Sequence, residues 1–171
     1  MDMKFLLIQF IGAIGYSTIA FSYFKKEKRQ ILFIQIIAYI AFAIHYYLLN
    51  GFTGAVCNLI GLIALVLIYL FDKYKFKNKN ILIFSIIPFL VVISCLTFEN
   101  IYSIFPIIAS TIAIISFLTD SEYTIRKVGV ASAISWLVYA IVYKSYVSIV
   151  FEVITLISTV VAFVKNRNGG K

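Results

Sequence analysis

Residues 81–119 read ILIFSIIPFLVVISCLTFENIYSIFPIIASTIAIISFLT, a stretch whose only charged residue is Glu99 and whose reading decides the fold. Taken as one helix at 1.5 Å per residue, it would be about twice as long as a hydrocarbon core about 30 Å thick. The stretch therefore predicts two spans, 81–98 and 101–119, that reverse at Glu99-Asn100. The same argument separates 128–143 from 146–164 at Lys144-Ser145. Working outward, apolar runs bounded by charge at about 5–24, 31–49 and 53–71 bring the set to seven transmembrane helices. The predicted class is all-α integral membrane.

Composition agrees with this. Of the 171 residues, 63% are hydrophobic and 13% charged, whereas a soluble domain is about half apolar and roughly a quarter charged. The connections are too short to fold a nucleotide-binding domain, a nuclease or a receptor module, so any function has to sit between the helices. Cys57 and Cys95 both fall inside apolar runs and read as small buried side chains, without bearing on redox compartment.

The net charge of +8 would ordinarily suggest nucleic acid or an anionic surface. Its placement instead encodes topology, because Lys and Arg concentrate in cytoplasmic loops. Alternating the connections between two faces puts Lys25, Lys26, Lys28, Arg29, Lys73, Lys75, Lys77, Lys79, Arg126, Lys127, Lys165, Arg167 and Lys171 on one side, and only Lys4 and Lys144 on the other. This split of 13 to 2 predicts an N-terminus outside and a C-terminus in the cytoplasm, with the lipid bilayer, and not nucleic acid, as partner. The first run could be mistaken for a signal peptide. It is too long for a typical apolar signal core, lacks a small-x-small cleavage site, and has its basic cluster after the run instead of before it.

The loop pattern repeats. Segments one to three and five to seven each contain a charged link followed by a tight outer turn, Asn50-Gly51-Phe52 and Lys144-Ser145-Tyr146. A shift of 94 residues superposes the triplets without a gap and pairs Ser22 with Ser116, Asn50 with Lys144, and Asn58 with Glu152. Residue identity is low, so the argument rests on topology and on where unusual residues land. The expected organisation is 3+1+3: a first triple-helix repeat over 1–77, a linker helix within 78–100, and a second repeat with a basic tail over 101–171. Segment four, without an acid, amide or imidazole, reads as the lipid-facing linker.

Helical-face arithmetic points to a polar interior. Ser148, Glu152, Thr155 and Thr159 recur on one face of segment seven; Gln35, Ala38, Phe42 and His45 do so in segment two; Ser132, Ser135 and Tyr139 do so in segment six, with Trp136 beside them. Such hydroxyls can equally bond their own helix backbone or glue neighbouring helices. Glu152 is the one carboxylate well inside a span, and a charge at membrane depth costs at least about 2.5–3.5 kcal/mol, so it normally marks a pathway or finds a partner. It can attract a cationic group or carry a proton; bonded to a tyrosine such as Tyr139 it can serve packing alone. Asn58 offers donors and an acceptor to a polar solute or to a neighbouring helix. Sixteen residues before these two positions lie Phe42 and Trp136, an aromatic lid able to stack on a ring or hold a cationic head. His45, the sole histidine, reads as a proton-linked gate together with Tyr139 and Glu152. Without a His or Cys at useful spacing it is not expected to bind metal. Tyr46, Tyr47, Tyr143 and Tyr146 read as an outer aromatic belt, Gly12, Gly15, Gly54 and Gly61 as points of close packing, and Pro106 and its mate Gly12 as hinges. No enzyme signature or cofactor motif is found.

The stretch Ile44-His45-Tyr46-Tyr47-Leu48-Leu49-Asn50-Gly51 followed by Asn58, and Phe105-Pro106-Ile107-Ile108-Ala109-Ser110-Thr111 with Trp136 and Glu152, resembles the YgjV family of bacterial inner-membrane proteins over essentially the whole chain. The architecture is also similar to the SWEET and PQ-loop transporters, two triple-helix bundles joined by a linker helix, in which an aromatic and an asparagine from each repeat line a sugar pocket. That resemblance implies a substrate-binding set of Phe42, Asn58, Trp136 and Glu152. It departs from the pattern where Glu152 stands in place of the second asparagine, and where Gly12 and Pro106 stand near the missing proline-glutamine pair. The acid shifts the expectation from a neutral sugar to a cationic, zwitterionic or proton-coupled small solute. Two functions follow for test: an alternating-access carrier in the bacterial inner membrane, or a non-transporting scaffold that binds a partner or lipid. The sequence leaves the oligomeric state open.

Overall fold

The structure is a computed structural model that describes residues 2–22, 24–25, 27–74, 79–116 and 122–168. Lys26, Lys75, Lys77 and Lys171 of the basic clusters lie outside the described residues, as do the side chains of Ser116 and Thr159. Among the described residues seven α-helices follow one another: α1 Met3–Ser22, α2 Lys28–Leu48, α3 Phe52–Tyr74, α4 Lys79–Leu96, α5 Ile104–Ser116, α6 Glu122–Val142 and α7 Tyr146–Asn168, with a 3-10 turn Ile101–Ser103 leading into α5. Apolar chain in lipid has no other simple way to satisfy its backbone N–H and C=O groups.

The apolar stretch 81–119 does break where Glu99-Asn100 stands. Asn100 caps the 3-10 turn, accepting from Tyr102 N at 2.9 Å while Ser103 Oγ accepts from the Asn100 backbone N–H. α1, α2 and α3 each hold a run of 20 residues long and apolar enough to cross a bilayer alone. Among the described residues the apolar parts of α4 to α7 are shorter, as in Phe84–Leu96 and Val130–Val142. Large apolar side chains such as Phe10, Phe33, Phe89, Val92, Ile141 and Ile157 are exposed, a surface suited to acyl chains and not to water.

The turns α2–α3 and α6–α7 are built alike. Asn50 and Lys144, 94 residues apart, take φ values of 61° and 55°, the left-handed region. The N–H of Gly51 reaches Tyr46 O at 2.8 Å and that of Ser145 reaches Ala140 O at 2.9 Å, while Asn50 N and Lys144 N bond Tyr47 O and Ile141 O. This is the Schellman closure, which satisfies the last carbonyls of a helix through one left-handed residue. The same shift of 94 carries α2 onto α6 and α3 onto α7 at both printed ends, and Ser22 at the end of α1 onto Ser116 at the end of α5.

Packing follows chain order. α1 packs on α2, α2 on α3, α3 on α5, α5 on α6, α6 on α7, and α7 returns to α1, a closed ring of six helices. α4 packs on α3 and α5 at the outside of that joint, where its Ile86 and Leu90 join Leu32, Ile60, Leu65, Ile68 and Ile114 in the main apolar cluster. Phe84, Phe89, Val92 and Cys95 of α4 face outward, while Ser94 is buried against Cys57 at 3.4 Å.

Candidate functional site

The ring encloses a cavity of about 680 Å3 lined by residues from α1, α2, α3, α5, α6 and α7 and by none from α4. Phe42, Asn58, Trp136 and Glu152 all line it, so residues up to 110 positions apart in the chain meet there. Eight lining residues come from α1 to α3, and seven of them have a lining mate 94 residues later: Tyr16 with Ser110, Ile19 with Ala113, Ala20 with Ile114, Tyr39 with Ala133, Phe42 with Trp136, Asn58 with Glu152, and Gly61 with Thr155. The eighth, Tyr46, corresponds to Ala140, which does not line the cavity.

Glu152 is held from across the ring. Tyr16 Oη on α1 donates to its Oε1 at 3.1 Å, and Tyr139, the tyrosine expected from the sequence to bind it, accepts from Gly54 N instead. Tyr16 in turn stacks on Phe151, with ring centroids 4.5 Å apart and planes 9° from parallel, and tilts against Phe42 at 4.7 Å. Gly15 makes room for this: a Cβ there would stand 2.5 Å from the Phe42 ring. On the opposite wall Trp136 stacks on Tyr46 at 5.4 Å. Asn58 is buried and spends one amide hydrogen on Gly54 O at 2.8 Å, within its own helix. Thr155 likewise donates to Phe151 O, and Ser132 to Ala109 O on α5 at 3.4 Å. Among the lining residues Glu152 is the single side chain that ordinarily carries a charge at neutral pH.

Towards the Asn50 and Lys144 turns the cavity ends in a sealed polar layer. Gln9, His45, Thr53, Ser103, Tyr139, Ser145 and Ser148 are all buried there. His45 Nδ1 lies 2.8 Å from Ile8 O, and a carbonyl can only accept, so that nitrogen carries the proton. Ser145 Oγ stands 2.6 Å from His45 Nε2 and 2.5 Å from Ser148 Oγ. Tyr139 Oη accepts from Gly54 N at 2.9 Å. Gln9 spans the α6–α7 turn, donating to Lys144 O at 3.1 Å and accepting from Val147 N at 3.2 Å. Its mate at the shift of 94, Ser103, meets Thr53 Oγ1 at 3.0 Å, and Thr53 is the mate of Val147. Thus each half of the chain clasps the turn of the other with corresponding residues. A loop closes over the layer: Glu99 accepts from Phe52 N at 2.5 Å and from Tyr143 Oη, while Asn100 Nδ2 donates to Tyr143 Oη at 3.1 Å.

The sequence-predicted residues thus divide between two places. Phe42, Asn58, Trp136 and Glu152 share the cavity, whereas His45 and Tyr139 sit in the sealed layer beyond it. Tyr46, read as part of an outer belt, is 2% exposed and packs on Trp136 and Tyr139; Tyr47 and Tyr146 remain exposed. Pro106, expected to bend its span, is the third residue of α5, in the first turn, where a missing N–H costs little. Gly12 lies inside an unbroken α1, and a Cβ there would stand 2.9 Å from the His45 ring. Tyr16 and Gln9 were not singled out from the sequence, and Glu99 was singled out only as a helix break. Gln9 carried a signal, an amide inside an apolar run, while Tyr16 and Glu99 had none beyond their position.

One pattern known from other proteins fits the chain: that of Imp-YgjV, described as bacterial inner membrane protein, matches residues 6–169. The chain belongs to the Imp-YgjV family. This accounts for the apolar outer surface, and the Imp-YgjV match spans all seven helices, so the cavity and its sealed layer lie wholly within the matched region. No curated protein and no solved structure matches the chain.

Proposed function

We propose that this protein is a carrier for a small polar solute, working by alternating access between two parallel three-helix repeats, α1–α3 and α5–α7, with α4 as linker. The single observation that carries the reading is the cavity: six helices contribute to it, α4 does not, and seven of its eight lining positions from α1 to α3 have a lining mate 94 residues later. Paired turns and reciprocal clasps at the same interval support a duplicated unit that can rock about a central site. Seven spans with the basic segments in the cytoplasm would put the polar layer outside, so the arrangement is inward-facing. Phe42, Asn58, Trp136 and Glu152 then contact the solute, and His45 and Tyr139 belong to the outer gate. We propose no catalytic step.

Uptake tests the reading: purified protein in liposomes, a mixed pool of metabolites outside, and mass spectrometry of what accumulates, with Glu152→Gln as the matched control. A solute that enters with the native protein and not with the variant is the expected result. No accumulation at neutral or acidic pH, with or without a membrane potential, overturns the carrier. The second reading, a non-transporting membrane component, is favoured by one observation. Ser135 and Thr155 of the predicted polar stripes donate to carbonyls of their own helices, Ala131 and Phe151, as packing residues would.

A further inference from the structure

The cavity's inventory of charge and hydrogen-bonding groups discriminates between solute classes. An anion needs a cation, a helix N-terminus or several free N–H groups to replace its hydration. No Lys, Arg or His is among the lining residues, and the lining segments come from helix interiors whose N–H groups are consumed by the helices. A polyhydroxylated solute needs many free donors and acceptors. Of the lining hydroxyls and amides, Tyr16 donates to Glu152, Asn58 to Gly54 O, Ser132 to Ala109 O and Thr155 to Phe151 O, so these hydrogens are already committed, while Tyr46 Oη is buried without a partner among the described residues.

What the cavity does offer is one carboxylate set among aromatic faces. Glu152 follows Phe151 in the chain and bonds Tyr16; Phe151, Tyr16 and Phe42 form one aromatic group beside it, and Tyr46 with Trp136 forms another. Ring faces attract cations, and most strongly where water is excluded. Burial of a lone carboxylate is costly until a positive charge joins it. A ligand carrying one positive charge and an apolar body meets both kinds of surface and asks for few hydrogen bonds.

Building on the carrier reading, we infer that the solute is an organic monocation, an amine or quaternary ammonium with an alkyl or aryl body. Its charge faces Glu152, and its body lies between the Tyr16–Phe42 and Tyr46–Trp136 rings. A cavity of about 680 Å3 has room for a head group of this kind with a further ring or short chain, within the range of small-molecule sites.

Trp136 is the single tryptophan of the chain and lines the cavity, so its fluorescence reports occupancy directly. The full-length protein in detergent micelles is titrated with benzyltrimethylammonium and with choline. In parallel it is titrated with 3,3-dimethyl-1-butanol, the uncharged isostere of choline, and with phenylacetate and glucose. A saturable change with the two cations, and none with the other three, is expected. Glu152→Gln, shown to be folded by gel filtration and circular dichroism, should weaken the cations by at least about tenfold, with Glu152→Asp between the two. Phe42→Leu keeps the charge and removes one ring, and should weaken benzyltrimethylammonium more than choline. If Glu152→Gln does not fold, Glu152→Asp and Phe42→Leu carry the comparison.

Equal cation binding in Glu152→Gln and native protein, or a saturable response to phenylacetate, glucose or the neutral isostere, overturns the assignment. Silence to every probe overturns it as well. None of these outcomes decides whether the protein transports, which the uptake of a mixed pool reads independently.

Discussion

The two halves of the helix ring solve the same problem in opposite ways. Near the Asn50 and Lys144 turns, buried polar groups bond one another across the molecule, as in His45 with Ile8 O and Ser145, Gln9 with the 144–147 turn, and Tyr139 with Gly54 N. In the cavity, Asn58 and Thr155 turn back to their own helices and Tyr46 Oη is buried without a partner among the described residues. The layer draws most of its partners from both halves of the chain. Polar pairs across helices crowd the layer, whereas the cavity holds Tyr16 with Glu152 and Ser132 with Ala109 O.

Substitutions can break this contrast. The largest effect is expected from Glu152→Gln, which should reduce uptake by about a hundredfold or more, worth about 2.7 kcal/mol, while the thermal midpoint in micelles stays within a few degrees. If the midpoint falls with the activity, the residue is packing glue and the cavity loses its distinction from the layer. Gly54→Ala should show the converse. Its Cβ would stand 2.4 Å from Tyr139 Cε1, so the layer must shift at a cost of about 1–3 kcal/mol, read as a lowered unfolding midpoint. Tyr139→Phe leaves Gly54 N without its partner and should cost about 1–2 kcal/mol; a gate held by that bond would also leak, measurable as faster uptake from the outer face. Thr155→Val should be smallest, within about 0.5 kcal/mol in stability, because its hydroxyl bonds Phe151 O in its own helix.

Cysteine accessibility sharpens the contrast further. In a background without Cys57 and Cys95, cysteine at Ser158, which is exposed at the cavity rim, should label with a membrane-impermeant maleimide from the cytoplasmic side. Cysteine at Ser148, buried in the layer, should not label from either side at rest. Labelling of Ser148→Cys from outside upon addition of solute would be the signature of the layer opening. Labelling at Ser158 from outside instead would reverse the proposed orientation.

Much of the helical frame was legible before any coordinates. The breaks at Glu99-Asn100 and Lys144-Ser145 follow from length alone. The shift of 94 anticipated the paired turns, and the cavity residues Phe42, Asn58, Trp136 and Glu152 stood out as unusual types inside apolar runs. Tyr46 and Tyr47 show where legibility ended. They are adjacent, identical in type and equally near a turn, yet Tyr46 is 2% exposed and Tyr47 60%. They lie about 100° apart around α2, and which direction faces a neighbour depends on where α6 lies. Glu99 looked like an ordinary loop acid, and its bonds to Phe52 N and Tyr143 depend on three connections meeting at one end of the ring.

The sequence by itself determined the class, the number of the helices and the position of the turns. These depend on transfer of each residue into hydrocarbon and on local backbone geometry, both short-range quantities summed along the chain. Only the tertiary structure decided that Tyr16 holds Glu152, that Gln9 clasps the turn at 144–147, and that His45 and Tyr139 close a layer instead of lining the cavity. These contacts join residues 85 to 138 positions apart. They are set by how helices rotate and slide against one another, through fits such as Gly12 with His45 and Gly54 with Tyr139. A pattern along one helix carries no record of the partner face it will meet.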